Sequence, residues 1–200
     1  MDINLILEII AAALGIAGVW LAKKENILTY PIGIISTTIY VYILLMGKLY
    51  AVSCINLYYT IISIYGWYAW THKSSDNKPL EISKLSGKHQ TIYIITATVL
   101  YLLLIGFIRL FKHSDTGYIM SGVMYVDTFT FSLFLIAMFL QARKKLECWI
   151  YWIIADFICI PFYIWQHLYF TAIQYLVFTI IAVFAFFEWQ GKYNKSIGKL

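Results

Sequence analysis

The sequence predicts an all-α integral membrane protein of seven transmembrane helices, grouped three, one and three, with the N-terminus outside and the C-terminus inside. Three observations predict it. The first is composition: of 200 residues, 62% are hydrophobic, 18% aromatic and only 12% charged, with a mean hydropathy of +0.75. A soluble domain carries roughly 25% charged residues, because its surface must face water. The second is a series of seven apolar runs, each near the roughly 20 residues a helix needs to cross a bilayer. Barrel strands would instead give alternating segments of about ten residues. The third is the placement of lysine and arginine between those runs.

The runs cover residues 4–22, 27–46, 49–71, 91–111, 124–141, 149–166 and 168–189. The first follows Met-Asp-Ile-Asn, an opening with an acid where a cleavable signal peptide would carry positive charge, and it ends before Lys23 and Lys24. The second contains Pro31 and the sixth Pro161, both expected to kink their helices. The third carries Asn56, Tyr59, Ser63, Trp67 and Trp70 at helical spacing, and with the first two it makes a three-helix unit over 1–71. Residues 72–90 form a long polar cytoplasmic loop, 91–111 a connector helix, and 112–123 a polar, glycine-containing external loop. The fifth run opens beside Asp127 and ends before Arg143, Lys144 and Lys145. The last three runs make a second unit over 124–189, followed by a cytoplasmic tail at 190–200. With the N-terminus outside, twelve of the fifteen basic residues lie inside, and only Lys48, Arg109 and Lys112 lie outside. Cytoplasmic segments carry such an excess.

Shifting the chain by 119 residues lays the first three runs on the last three without a gap. Leu14 meets Leu133, Leu49-Tyr50 meets Leu168-Tyr169, and Trp70 meets Trp189. Polar matches carry more weight in so apolar a chain: Glu8 meets Asp127, and Lys24 meets Arg143. Chance similarity between apolar stretches is the alternative. Read as a duplication, the two units share one orientation, with the fourth helix as connector. This parallel plan is that of SWEET-type transporters, in which two bundles rock about a site between them.

Several functions are disfavoured. The basic residues form no patch of the kind that grips nucleic acid. Cys54, Cys148 and Cys159 lack metal-ligand spacing and read as small apolar residues. No phosphate-binding loop is present for ATP-driven pumping, and no segment is long enough for a soluble enzyme domain. His72, His89, His113 and His167 fall in loops or at helix edges, with no catalytic role. No cofactor or metal is expected.

Four acids fall within or beside the runs: Glu8, Asp127, Asp156 and Glu188. A charge at mid-bilayer costs at least about 2.5–3.5 kcal/mol. Glu8 and Asp127 are repeat mates near the outer face and suit capping or pairing with a neighbouring helix, with gating as the alternative. Glu188 lies at the inner end of the last run and reaches the interface. Asp156 is deeper, and its mate is the uncharged Thr37. Trp149, Trp152, Asp156 and Tyr163 stand at i, i+3, i+7 and i+14, on one helix face. An acid among indole rings suits a flat organic cation, which the rings attract and the carboxylate balances. The competing reading is an interfacial tryptophan pair and an acid bonded to another helix. Asn56, Tyr59 and Ser63 on the third run face this stripe, with Tyr30, Gly33, Thr37 and Tyr40 on the second. Trp70 and Trp189, at helix ends, read as aromatic-belt residues.

Leu49-Tyr50-Ala51 leading to Tyr65-Gly66-Trp67-Tyr68-Ala69-Trp70, the span bearing Asp127, the Arg143-Lys144 turn and Trp149-x-x-Trp152 together resemble the PnuC family of bacterial vitamin transporters, over nearly the whole chain. The resemblance implies the three-plus-one-plus-three fold, a homotrimer in the bacterial inner membrane, and facilitated diffusion of nicotinamide riboside. It also implies a separate cytoplasmic kinase that traps the product. Two positions depart from the family's riboside transporters: Asp156 stands where they have an amide, and Asn56 where they have glutamine. Trp149 and Trp152 would enclose the aromatic ring, Asp156 would offset its charge, and Asn56 and Tyr59 would bond polar substituents, with Tyr163, Ser63 and Thr37 beside them. Thiamine, carried by other members, is also a permanent cation and is the alternative substrate. A proton-coupled carrier using Asp156 is the alternative mechanism.

Overall fold

The structure, a computed structural model, describes residues 3–46, 50–72, 79–111 and 122–198. Lys48, Leu49, Lys73, Lys78, Lys112, His113 and Lys199 lie outside the described residues. Seven helices are present among the described residues: α1 (Ile3–Lys23), α2 (Thr29–Met46), α3 (Tyr50–Thr71), α4 (Gly87–Phe111), α5 (Gly122–Ala142), α6 (Cys148–Trp165) and α7 (Tyr169–Ile197). Without water in the hydrocarbon layer, a chain satisfies its backbone groups internally, and the helix does so within one segment. Six of the seven are long and apolar enough to cross a membrane by length and composition. The exception is α3, whose 22 residues would reach about 33 Å; its tyrosines, serines, threonines and Asn56 lower its hydropathy.

Two helices are longer than the apolar pattern predicts. Helix α4 starts at Gly87, with Ser86 ahead of it holding His89 Nδ1 at 2.7 Å. Helix α7 runs to Ile197, through residues expected to form the tail. Its 29 residues reach about 44 Å, well beyond a hydrocarbon core of about 30 Å. Hydropathy marks where the bilayer ends, not where the helix does. Pro31 is the third residue of α2, where the missing N–H is no loss, so the kink expected there has no cause. Pro161 lies inside α6, which continues through it.

Neighbouring helices close a ring. Contacts run from α1 to α2, α2 to α3, α3 to α5, α5 to α6, α6 to α7 and α7 back to α1, while α4 packs on α5 from outside. Buried Ala11, Ala22, Ala137, Ala155, Ala182 and Ala185 let backbones approach, as membrane bundles require. Hydroxyls fasten the interfaces: Ser36 Oγ donates to the Ala11 carbonyl at 2.8 Å, Thr29 Oγ1 to the Gly18 carbonyl at 2.8 Å, and Tyr58 Oη to the Leu135 carbonyl at 3.0 Å. The outer face of α4 leaves Ile92, Ile94, Leu102, Leu103 and Phe107 exposed, an apolar surface suited to lipid.

The α1–α2 and α5–α6 turns have the same backbone hydrogen bonds at matching positions. Glu25 N–H donates to the Ala22 carbonyl and Asn26 N–H to that of Leu21; Lys144 N–H donates to Gln141 and Lys145 N–H to Leu140. Glu25 and Lys144 both take the left-handed conformation, at φ 56° and 48°. The polar loop is less free than its composition suggests. Ser83 N–H donates to the Lys144 carbonyl, Leu146 N–H to that of Ser83, and Leu85 N–H to Glu147 Oε1 at 3.0 Å, so residues 82–85 are strapped to the α5–α6 turn.

Candidate functional site

A cavity of about 240 Å³ lies within the ring of six helices. That is just under the roughly 300–1,000 Å³ of drug-sized sites, and suits one vitamin-sized molecule. Every ring helix contributes to its wall, and α4 does not. Six of the eight residues read from the sequence as site residues line it: Trp149, Trp152, Asp156, Tyr59, Ser63 and Thr37. Asn56 and Tyr163 do not. Asn56 is nearly one turn from Tyr59 on α3, and Tyr163 two turns beyond Asp156 on α6, both toward the end where α2 stops and α3 starts. Tyr163 stands behind the wall, its ring stacked on Tyr175 at 5.2 Å and 7°. Trp67 turns outward and is 43% exposed.

Asp156 is the chemically distinctive group. It is 3% exposed, and no hydrogen bond or ion pair reaches its carboxyl group among the described residues. The reading in which another helix bonds this acid therefore finds no partner here. A buried polar group without a protein partner is costly unless water or a ligand in the cavity meets it. Thr37, its mate, bonds the Gly33 carbonyl at 2.9 Å and Thr60 Oγ1 at 2.7 Å. Ser63, 2% exposed, makes no hydrogen bond among the described residues.

Further residues, all but Gly33 absent from the sequence reading, complete the wall. Phe134, Tyr175 and Phe178 add rings on the side of α5 and α7, and Phe134 packs on Trp152 with centroids 5.4 Å apart. Gln141, 8% exposed, accepts the Trp152 indole N–H on Oε1 at 3.0 Å and fixes that ring. The only signal for Gln141 was an uncharged polar residue two positions before the Arg143 cluster. On the other side, Gly15, Gly18 and Gly33 leave backbone and space.

One end of the cavity is floored by aromatics. Tyr30 meets Trp70 edge to face at 5.0 Å and 89°, and Trp149 meets Trp189 at 5.4 Å and 89°. Trp70 and Trp189 themselves lie 6.1 Å apart. The belt reading of these two is thus corrected. Trp189 is fully buried, its Nε1 donating to the Lys23 carbonyl at 3.0 Å, because its helix face turns toward α1. Gly66 makes the floor possible, since a Cβ there would collide with the Tyr30 ring. Outside the floor, Glu25 pairs with Lys144 at 3.1 Å and Lys192 at 3.0 Å. Glu188 pairs with Lys23 at 3.8 Å, and with Lys24 and Lys192 at 3.5 Å.

Among the described residues no three His, Cys, Asp or Glu side chains gather to hold a metal ion. The arrangement is one of binding: an unpaired acid, stacked and edge-on rings, and a few hydroxyls.

Comparison with known proteins agrees. A family model described as nicotinamide mononucleotide transporter matches residues 5–191. The chain is similar to the nicotinamide riboside transporter PnuC of Escherichia coli (strain K12), 27% identical over 195 residues, covering 88% of this chain and 82% of the relative. The nicotinamide riboside transporter PnuC of Shigella flexneri matches to the same extent. Among solved structures, the crystal structure of the vitamin B3 transporter PnuC superposes with a TM-score of 0.72 at 20% identity, covering 94% of this chain and 82% of that one.

Proposed function

The chain belongs to the nicotinamide mononucleotide transporter family, and from that premise we propose that it carries nicotinamide riboside across the bacterial inner membrane by facilitated diffusion. The observation that carries the reading is Asp156, a buried acid without a partner among the described residues, in an aromatic cavity. Nicotinamide riboside joins a flat pyridinium to a hydroxyl-rich sugar. The ring stacks among Trp149, Trp152 and Phe134, the carboxylate balances its charge, and Tyr59, Ser63 and Thr37 face the sugar hydroxyls. Attraction between cation and indole adds about 1–2 kcal/mol where water is excluded.

Transport then follows from two three-helix units that rock about this site. Contacts between repeat mates support such a two-fold plan: Glu25 with Lys144 is a pair 119 residues apart, and Trp70 with Trp189 is another. The ring of helix contacts is also unchanged when α1–α3 and α5–α7 are exchanged. The same reading extends to an N-terminus outside, a homotrimer, and a separate cytoplasmic kinase that traps the product.

The experiment is a pair of calorimetric titrations of the purified chain in lipid nanodiscs with nicotinamide riboside and thiamine. Micromolar binding of the riboside is expected, with thiamine at least about tenfold weaker; the reverse order makes thiamine the substrate. Vesicle uptake at equal rates with and without an imposed pH gradient is expected of a passive carrier, and gradient-dependent uptake would overturn that part.

A further inference from the structure

Gly15 and Gly18 on α1 and Gly33 on α2 all face the cavity. Inside a helix, glycine is less stable than alanine, so three on one wall need a cause. Tight packing is not that cause. A Cβ at Gly33 would stop 3.6 Å from Ser63 Oγ, at Gly15 3.7 Å from Ser36 Oγ, and at Gly18 3.8 Å from the Thr29 carbonyl oxygen. These are ordinary contacts, unlike the collision at Gly66.

The opposite wall explains the pattern. At the 119-residue offset set by Glu25 and Lys144, the mates of Gly15 and Gly33 are Phe134 and Trp152, and all four line the cavity. At these two positions one half therefore supplies rings and the other supplies space. A second observation points to a ligand in that space: Asp156, 3% exposed and without a hydrogen bond among the described residues, lines the same cavity.

We propose that Gly15 and Gly33 are specificity-determining residues, whose missing side chains make room for the non-planar, hydroxyl-bearing substituent of a cationic ring lying against Trp152 and Asp156. Resting on the function proposed above, that substituent is the ribosyl group. The glycine wall then selects the ribosylated molecule by shape, while the acid and the rings select the cation. A Cβ at either position leaves the fold intact and narrows the place of the sugar.

The test is calorimetric titration of the full chain in nanodiscs with nicotinamide riboside and with 1-methylnicotinamide, which keeps the pyridinium and replaces ribosyl by methyl. The variants are Gly15→Ala, Gly33→Ala and Gly33→Val. Gly106→Ala on α4, where a Cβ meets nothing within 4 Å, is the control. Each alanine is expected to weaken the riboside by about tenfold, and valine further. The methyl cation should change by less than about twofold, and the alanine variants should melt no lower than the parent. Riboside affinity unchanged in both alanine variants, or equal losses for the two ligands, overturns the glycine assignment alone. A parent protein that binds neither cation overturns the proposed function, and the ribosyl assignment with it.

Discussion

Replacing Asp156 with asparagine removes a charge and keeps the shape, and its burial gives that change two effects of opposite sign. At 3% exposure, without a hydrogen bond among the described residues, the carboxylate is a burden on the empty protein. Unmet hydrogen bonding alone costs on the order of 1–3 kcal/mol, and an uncompensated charge adds to it. Asparagine removes the charge part, so the empty variant is expected to melt no lower than the parent. Each kcal/mol gained would raise the midpoint by about 2–4 °C in a chain of this size. The loaded protein moves the other way. A cationic ring about 5 Å from the carboxylate, at an effective dielectric of about 20, gains roughly 3 kcal/mol. Losing that weakens binding on the order of 100-fold. Titration calorimetry with nicotinamide riboside reads the affinity, and a thermal melt on the same samples reads the stability. An unchanged affinity would refute the counter-charge role. A variant that binds weakly and also melts several degrees lower would make Asp156 a structural residue.

Two further substitutions address residues the sequence did not single out for these roles. Gln141→Leu strips the Trp152 indole of its acceptor at 3.0 Å, and a lost hydrogen bond of about 1–1.5 kcal/mol is expected to weaken the riboside about five- to tenfold; a titration with undiminished affinity refutes the positioning role. Tyr30→Phe keeps the ring that packs over Gly66 and against Trp70 but removes a hydroxyl buried without a partner among the described residues. It is expected to raise the melting temperature and slow vesicle uptake, and faster uptake would show that the hydroxyl helps to hold the floor shut.

The helices were legible because a bilayer demands long apolar runs, and the charge clusters between the runs mark their ends. Helix α7 was misjudged because its last turns, from Gln190 to Ile197, are polar yet still helical. The acid-and-tryptophan face of α6 was legible from spacing alone, since Asp156 breaks an apolar run and has no charged mate. Tyr163 shares that face but not that depth, and spacing says nothing about where a cavity ends. Trp189 shows the same blindness in reverse. A tryptophan at a helix end looks like an interfacial anchor until packing against α1 buries it. The glycine wall was only half legible: Gly33 stands on the stripe of the second run, but Gly15 looks like flexibility in sequence, and only the facing Phe134 and Trp152 make the pair a shape.

A passive carrier, the mode proposed above, has no energy source beyond the ligand's own gradient, and a ligand shifts an equilibrium only by its differential affinity for the two states. Under that proposal the closed floor is barely more stable than an open one. Its parts fit that demand. The pairs Tyr30 with Trp70 and Trp149 with Trp189 each contribute about 0.5–1.5 kcal/mol beyond burial. The ion pairs outside are partly exposed and contribute about 0–1 kcal/mol each. Against them stand the Tyr30 hydroxyl and the indole N–H groups of Trp70 and Trp149, all buried without a partner among the described residues. Each costs about 1–3 kcal/mol while the floor is shut, and water relieves it once the floor opens. Under the proposed passive mechanism, a floor of satisfied donors would lock the carrier and one without the edge-to-face pairs would leak, so the unpartnered donors belong to the balance that mechanism needs.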